Sequence, residues 1–257
     1  MKNLTYVILA SVAMSVPCLP AIASSTCSKT ASHVHWGYEG EGGPDNWGCL
    51  QSEYAKCSSG ERQSPIGISL TNKAKLDAIY LNYYPAPLKI INNGHTIQIN
   101  CKNGSTVSLG NKKYELLQFH FHNPSEHKVN GQSYCMEAHF VHKGEDGKLA
   151  VIGVMMEEGK GNDFITTLWN NLPKDTGKEH AVTDVRINAN QFFPKNMDYY
   201  TYAGSLTTPP CSEIVTWIVL KTPVQVSKPQ IEKFTALFKK SARPIQPQHG
   251  RTVWESN

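Results

Sequence analysis

From about Ser64 onward the chain is a succession of short runs in which apolar and polar residues alternate, separated by turn residues. Six of these runs read as strands: Leu88 to Asn92, Thr96 to Cys101, Tyr114 to His122, Tyr134 to His142, Ala150 to Met156 and Ile214 to Leu220. Each is rich in β-branched or aromatic side chains. Asn93-Gly94, between the first two, is a hairpin turn signal. Two segments carry helical spacing instead. Asp163 is placed to cap a helix from Phe164 to Asn171, and Ser227 to cap one whose Ile231, Phe234, Leu237 and Phe238 recur on one face. Strands outnumber helices, so the expected fold is mainly β: a large central, mostly antiparallel sheet with short peripheral helices.

The first residues depart from this pattern. Lys2 precedes an apolar run that continues from Tyr6 to Ile22, and Ala21-Ile22-Ala23 offers small residues around a cleavage site. Residues 1–23 read as an export signal rather than a membrane anchor, because Pro17 and Pro20 interrupt a run already short for a bilayer. No other long apolar stretch occurs, so the mature chain is expected to be soluble, in the periplasm or outside the cell. Without a repeat, a low-complexity linker or a break in composition, residues 24–257 read as a single domain, opening on a Gly-rich segment that carries His35-Trp36-Gly37-Tyr38.

Export also frames the cysteines. Loss of Cys18 with the signal leaves Cys27, Cys49, Cys57, Cys101, Cys135 and Cys211, an even number that permits disulfides in an oxidising compartment. None forms a C-x-x-C pair, which argues against a cysteine-ligated metal, and spacing alone does not assign the pairing. The formal charge of +4 is small, with no basic stripe carrying interleaved aromatics, so nucleic acid is not an expected partner.

The chemistry concentrates in two strands. Along Leu116 to His122, Leu117, Phe119 and Phe121 point one way, and Gln118, His120 and His122 the other. Two imidazoles on one strand face can reach one cation, and imidazole is a common zinc ligand. In the next run Glu137, His139 and Val141 share a face, which makes His139 a third candidate. Gln118 stands two residues before His120 and Glu137 two before His139, positions from which an acceptor can orient a ligand ring. Taken singly, each histidine reads more readily as an ordinary buried histidine bonded to a carbonyl. Three together, two with matched acceptors, favour a metal. A three-histidine set without cysteine leaves a fourth position open, the mark of a catalytic rather than a structural zinc site.

These residues lie within a longer series of motifs: Gly60-Glu61-Arg62-Gln63-Ser64-Pro65-Ile66, Asn93-Gly94-His95, Gln118-Phe119-His120-Phe121-His122, Ser125-Glu126-His127, Glu137-Ala138-His139-Phe140-Val141-His142 and Gly204-Ser205-Leu206-Thr207-Thr208-Pro209-Pro210. In this order they resemble the alpha-class carbonic anhydrases, over nearly the whole mature chain and most closely the exported bacterial type. The resemblance implies zinc as cofactor, bound by His120, His122 and His139, and reversible hydration of carbon dioxide by a zinc-bound hydroxide, with esters as a possible side substrate. It implies that Thr207 accepts a hydrogen bond from that hydroxide and gives its own proton to Glu126. Without the motif, Thr207 reads as a turn residue and Glu126 as a loop carboxylate.

The same resemblance puts Val141, Val151, Leu206, Val215 and Trp217 around the waiting carbon dioxide, with Thr208 in the same pocket. Singly, each apolar residue is indistinguishable from core packing. His95 stands at the family's proton-shuttle position, with an unperturbed imidazole pKa of about 6.5 suited to it, although a solvent-exposed turn histidine is the plain alternative. Cys57 and Cys211 resemble the bacterial disulfide that braces the Thr207 loop, with Cys27 and Cys49 a second candidate pair. Ser241 replaces a commoner asparagine where the family uses a backbone carbonyl. Only three residues separate His122 from Glu126, which implies a more open rim to the conical cavity. A homodimer follows from bacterial analogy alone. The rival readings are a zinc esterase and a catalytically silent binding protein on the same fold.

Overall fold

The computed structural model describes residues 34–256 apart from Asn103; the export signal and Cys27 lie outside the described residues. Among them, thirteen strands join one sheet. Its main path runs Glu179–Ile187, Ala86–Asn92, Ile97–Asn100, Lys112–His122, Met136–Gly144, Leu149–Glu158, Val215–Leu220, Tyr199–Gly204, Trp254–Ser256 and Asn72–Ala74. Most neighbours are antiparallel. Parallel pairs join Leu149–Glu158 to Val215–Leu220 and to Val224–Val226, and Trp254–Ser256 to Asn72–Ala74.

Central strands bury both faces, and the two faces have different jobs. On one side Phe119, Phe121, Ala138, Phe140 and Ile152 pack with Phe164, Trp169 and Phe234 from the two outer helices. Full burial of each large side chain contributes about 1.5–3 kcal/mol. On the other side lies a second apolar cluster that includes Val141, Val151, Val215 and Trp217, beside the three histidines.

The expected alternation along Lys112–His122 breaks at Leu117. Its partner strand pairs Leu116 with His142 and then Gln118 with Val141, so Leu117 is the extra residue of a β-bulge. Leu116, not Leu117, joins Phe119 and Phe121 in the core, while Leu117 is half-buried and lines a surface depression with Lys113 and Glu115. The bulge lets both Leu116 and Phe119 face the core and leaves Gln118, His120 and His122 on the opposite face.

The helix ends also differ from expectation. Asn162, not Asp163, caps the helix Asp163–Trp169, its Oδ1 accepting from the Ile165 N–H at 3.1 Å. Asp163 is the first helical residue, where its charge meets the positive end of the helix dipole. The second helix, Lys228–Thr235, ends before Leu237, which is exposed. Ser227 is its N-cap, and the Gln230 side chain accepts from the Ser227 N–H at 2.9 Å. The Asn93-Gly94 turn joins Ala86–Asn92 to Ile97–Asn100, with Gly94 at φ +88°, a conformation that favours glycine.

Cys57 and Cys211 form a disulfide across 154 residues of sequence. Both belong to a small apolar cluster with Trp47 and Leu50. Cys101 and Cys135 are free thiols. Cys49 is not a free thiol, and its candidate partner Cys27 lies outside the described residues.

Candidate metal centre

His120 and His122 share one face at the end of Lys112–His122, and His139 on Met136–Gly144 lies directly opposite His120. The ring centroids are 4.9 Å apart for His120–His122, 5.4 Å for His120–His139 and 4.4 Å for His122–His139. One nitrogen from each ring lies within 4.8 Å of the others. His122 and His139 are buried, whereas His120 keeps partial exposure.

The remaining ring nitrogens are tied elsewhere. His120 Nδ1 lies 2.8 Å from Gln118 Oε1, His122 Nδ1 is 2.6 Å from the Ser241 carbonyl, and His139 Nε2 is 2.9 Å from Glu137 Oε1. Each acceptor demands an N–H, so the lone pairs fall on the other nitrogens. Nε2 of His122 is buried with no hydrogen-bond partner. Burial holds all three imidazoles below their ordinary value: His120 well below it, with His122 and His139 adding to the effect; His122 down to about 4 despite the Ser241 carbonyl; and His139 against the pull of Glu137. Neutral rings with converging lone pairs fit a divalent metal.

Two buried carboxylates stand behind the rings. Burial alone would raise Glu137, but His127 and His139 hold it well below the usual carboxylate range. Its Oε1 accepts from His127 Nδ1 at 2.8 Å and from His139, and its Oε2 from the backbone N–H groups of Glu126 and His127 at 2.8 and 2.9 Å. His127, Glu137 and His139 are also close enough to count as a ligand cluster. Their donors and acceptors are already spent on one another, so they support the centre rather than form a second one.

Burial pushes Glu126 up to about 7, opposed by His139, the Thr207 hydroxyl and the backbone of Arg243. Its Oε1 accepts from the Arg243 N–H at 2.7 Å. Oε2 has no partner of full hydrogen-bond geometry, yet Thr207 is near enough to favour the ionised form. Thr207 is itself buried. The loop that carries it is closed by the Leu206 N–H to the Ser212 carbonyl at 3.0 Å, by the Cys211 N–H to the Thr208 carbonyl at 2.9 Å and by the disulfide to Cys57.

Val141 pairs with Val151, and Val151 with Trp217, across adjacent strands. Leu206 packs on the same cluster, which Val215 also joins, and Thr208 is half-buried in the Thr207 loop. His95 stacks on Trp36 with centroids 3.6 Å apart and planes at 7°, and its Nε2 is 3.1 Å from that of His35. Burial and His35 together lower its pKa.

Sequence reasoning gave no role to His127, Tyr202 or Arg243. His127 stood within the quoted Ser125-Glu126-His127 motif but showed no periodicity toward a partner. Arg243 is 2% exposed; its guanidinium donates to Gln63 Oε1 and the carbonyls of Ser64 and Cys57 at 2.8–2.9 Å, contacts 179 to 186 residues distant in sequence.

Residues 42–257 match the eukaryotic-type carbonic anhydrase family. The carbonic anhydrase of Neisseria gonorrhoeae is 42% identical over 248 residues, covering 94% of this chain and 98% of that protein. Among solved structures, a hyperthermostable carbonic anhydrase from an active hydrothermal vent chimney matches with a TM-score of 0.84 and 48% identity, covering 87% of this chain and 100% of that one. The alpha-carbonic anhydrase of Thermovibrio ammonificans, solved with the inhibitor sulfanilamide, matches with a TM-score of 0.82 and 44% identity, covering 86% and 98%.

Proposed function

The chain belongs to the eukaryotic-type carbonic anhydrase family, and from that premise we propose that it hydrates carbon dioxide reversibly to bicarbonate and a proton, using zinc held by His120, His122 and His139. The observation that carries the reading is the convergence of three imidazoles whose other nitrogens are tied to Gln118, Ser241 and Glu137. When bound, zinc would supply a hydroxide nucleophile near neutral pH, by lowering the pKa of its water to about 7, the value known for carbonic anhydrase itself.

The chain's own residues supply orientation and a dry wall. Glu126, fixed by the Arg243 N–H, takes the Thr207 proton, so Thr207 Oγ1 can only accept and aims the nucleophile's lone pair at the substrate. That is a positioning effect. Carbon dioxide has neither charge nor a donor, and the cluster of Val141, Val151, Leu206, Val215 and Trp217 suits it, with Thr208 at its edge. His95 carries the product proton outward.

The zinc held by His120, His122 and His139 would also supply a nucleophile for activated esters as a side activity, limited by the room these apolar side chains leave. Residues 1–23 serve as an export signal, and the Cys57–Cys211 disulfide suits an oxidising compartment such as the periplasm or the medium. Among the described residues no helix is long and apolar enough to cross a membrane. The test is the loss of carbon dioxide hydration on removal of zinc and its return when zinc is restored.

A further inference from the structure

The chain holds three Asn-Gly dipeptides, Asn93-Gly94, Asn103-Gly104 and Asn130-Gly131, and Asn103 lies outside the described residues. In such a pair the glycine nitrogen, with no side chain beside it, is an intramolecular nucleophile for the amide carbon of the asparagine. Whether it attacks depends on what holds the two groups, and the fold holds them in opposite ways at Asn93 and Asn130.

At Asn93 each reacting group is tied. Its Oδ1 accepts from the His95 and Thr96 N–H groups at 2.9 Å each, and its Nδ2 donates to Gln98 Oε1 at 3.4 Å. The nucleophile itself, the Gly94 N–H, donates to Asn92 Oδ1 at 3.0 Å. Asn93 is half-buried, in a turn between two strands of the large sheet.

Asn130 and Gly131 are instead the exposed central residues of a hairpin turn, at φ +50° and +79°, the left-handed pair that Asn-Gly favours. Among the described residues neither the Asn130 side chain nor the Gly131 N–H has a hydrogen-bond partner, and the space beside the Gly131 Cα is open. The turn is closed by the Val129 N–H to the Gln132 carbonyl at 3.0 Å and the Gln132 N–H to the Val129 carbonyl at 2.9 Å, while the Asn130 N–H donates to the Ile68 carbonyl at 2.8 Å. Ring closure requires Asn130 to leave its left-handed conformation, so the turn must open first. Only the short parallel pair Gly67–Ile68 and Lys128–Val129 stands behind it, and so little pairing opens locally at small cost.

We propose that Asn130 is a site of spontaneous covalent modification, where the side-chain amide is lost to give aspartate and isoaspartate, while Asn93 persists. Gly131 N bonds to Asn130 Cγ and gives up its proton; the Cγ–Nδ2 bond breaks and the nitrogen leaves as ammonia. The five-membered imide then takes up one water. Opening at the Cγ carbonyl gives aspartate, and opening at the main-chain carbonyl sends the backbone through Cβ, as isoaspartate. Either product carries a new negative charge, and the second adds a carbon to a two-residue turn. That insertion disturbs the pairing of Val129 with Gln132 and Ile68. Ile68 and Val129 pack on the apolar cluster of Val141 and Trp217, so the modified protein loses stability.

The purified protein, folded or in urea, is kept in warm, mildly alkaline buffer and its peptides are mapped over weeks by mass spectrometry, with isoaspartate scored by enzymatic methylation. In the folded protein the Asn130 peptide is expected to convert about tenfold faster than the Asn93 peptide, the factor given by about one more net hydrogen bond broken before attack. In urea the two rates should converge. The fraction carrying isoaspartate at position 130, separated by ion exchange, should melt below untreated protein. Asn93 converting as fast as Asn130 in the folded protein overturns the proposal, as does an Asn130 that stays intact when folded yet converts in urea. A gap that persists in urea overturns it too, because sequence and not fold would then set the difference. Unchanged melting of the isoaspartate fraction overturns the effect on the hairpin.

Discussion

Glu126 and Arg243, 117 residues apart in sequence, meet behind the three histidines, where the Arg243 N–H donates to Glu126 Oε1 at 2.7 Å. The bond leaves Oε2 3.8 Å from His139 Nδ1, and Thr207 lies near the same carboxylate. Glu126 and Thr207 are therefore expected to act as one unit. Thr207→Ala and Glu126→Gln are each expected to lower kcat/KM for hydration by roughly 100-fold, on the scale of losing one preorganised hydrogen bond in a reaction centre. The double variant should lose little more than either single one. Stopped-flow assays of the three proteins at equal zinc occupancy check this, and independent losses that multiply would contradict it.

His95, stacked on Trp36 and 3.1 Å from His35, is expected to limit proton exit. His95→Ala should slow turnover in dilute buffer, and added imidazole should restore it, with kcat/KM for hydration unchanged. An unaltered rate in dilute buffer would rule out the role.

The Cys57–Cys211 disulfide closes a loop of 154 residues and ties the segment bearing Gln63 and Ser64 to the loop bearing Thr207. Replacing both cysteines with serine is expected to cost about 2–5 kcal/mol of stability, the usual range for a native disulfide. Urea unfolding of the two proteins measures it.

The two free thiols are set against reactivity by burial, which pushes Cys101 up to about 12 and Cys135 to about 11. Folded protein at pH 8 is expected to resist alkylation at both, and unfolded protein to label readily. The same shifts have a sign for stability. Unfolded thiols ionise near pH 8.5 while the folded ones keep their protons, so the folded state loses stability as pH rises from there toward 11 and 12. Thermal melts between pH 8 and pH 11 should show a falling midpoint.

Legibility in the sequence varied with the physics of each element. The central strands announced themselves because burial on both faces demands unbroken β-branched and aromatic residues, and His120, His122 and His139 could be placed on strand faces from alternation alone. Edge strand Glu179–Ile187 escaped notice because most of its side chains are exposed and carry no apolar signature. Alternation missed Leu117, since a bulge is a pairing irregularity visible only against the partner strand. Asn162 and Asp163 are both good caps, and backbone geometry rather than residue type selected the first. Family motifs pointed to Glu126 and Thr207. His127, Tyr202 and Arg243 act through contacts 10 to 186 residues away in sequence, which no local pattern encodes.

The most direct test of the zinc-hydratase account is stopped-flow carbon dioxide hydration by the purified mature protein, before and after zinc is stripped with a chelator, alongside His120→Ala. The account predicts fast hydration that is lost on stripping, restored by zinc and absent in the variant. Slow hydration by protein carrying one zinc per chain would contradict it.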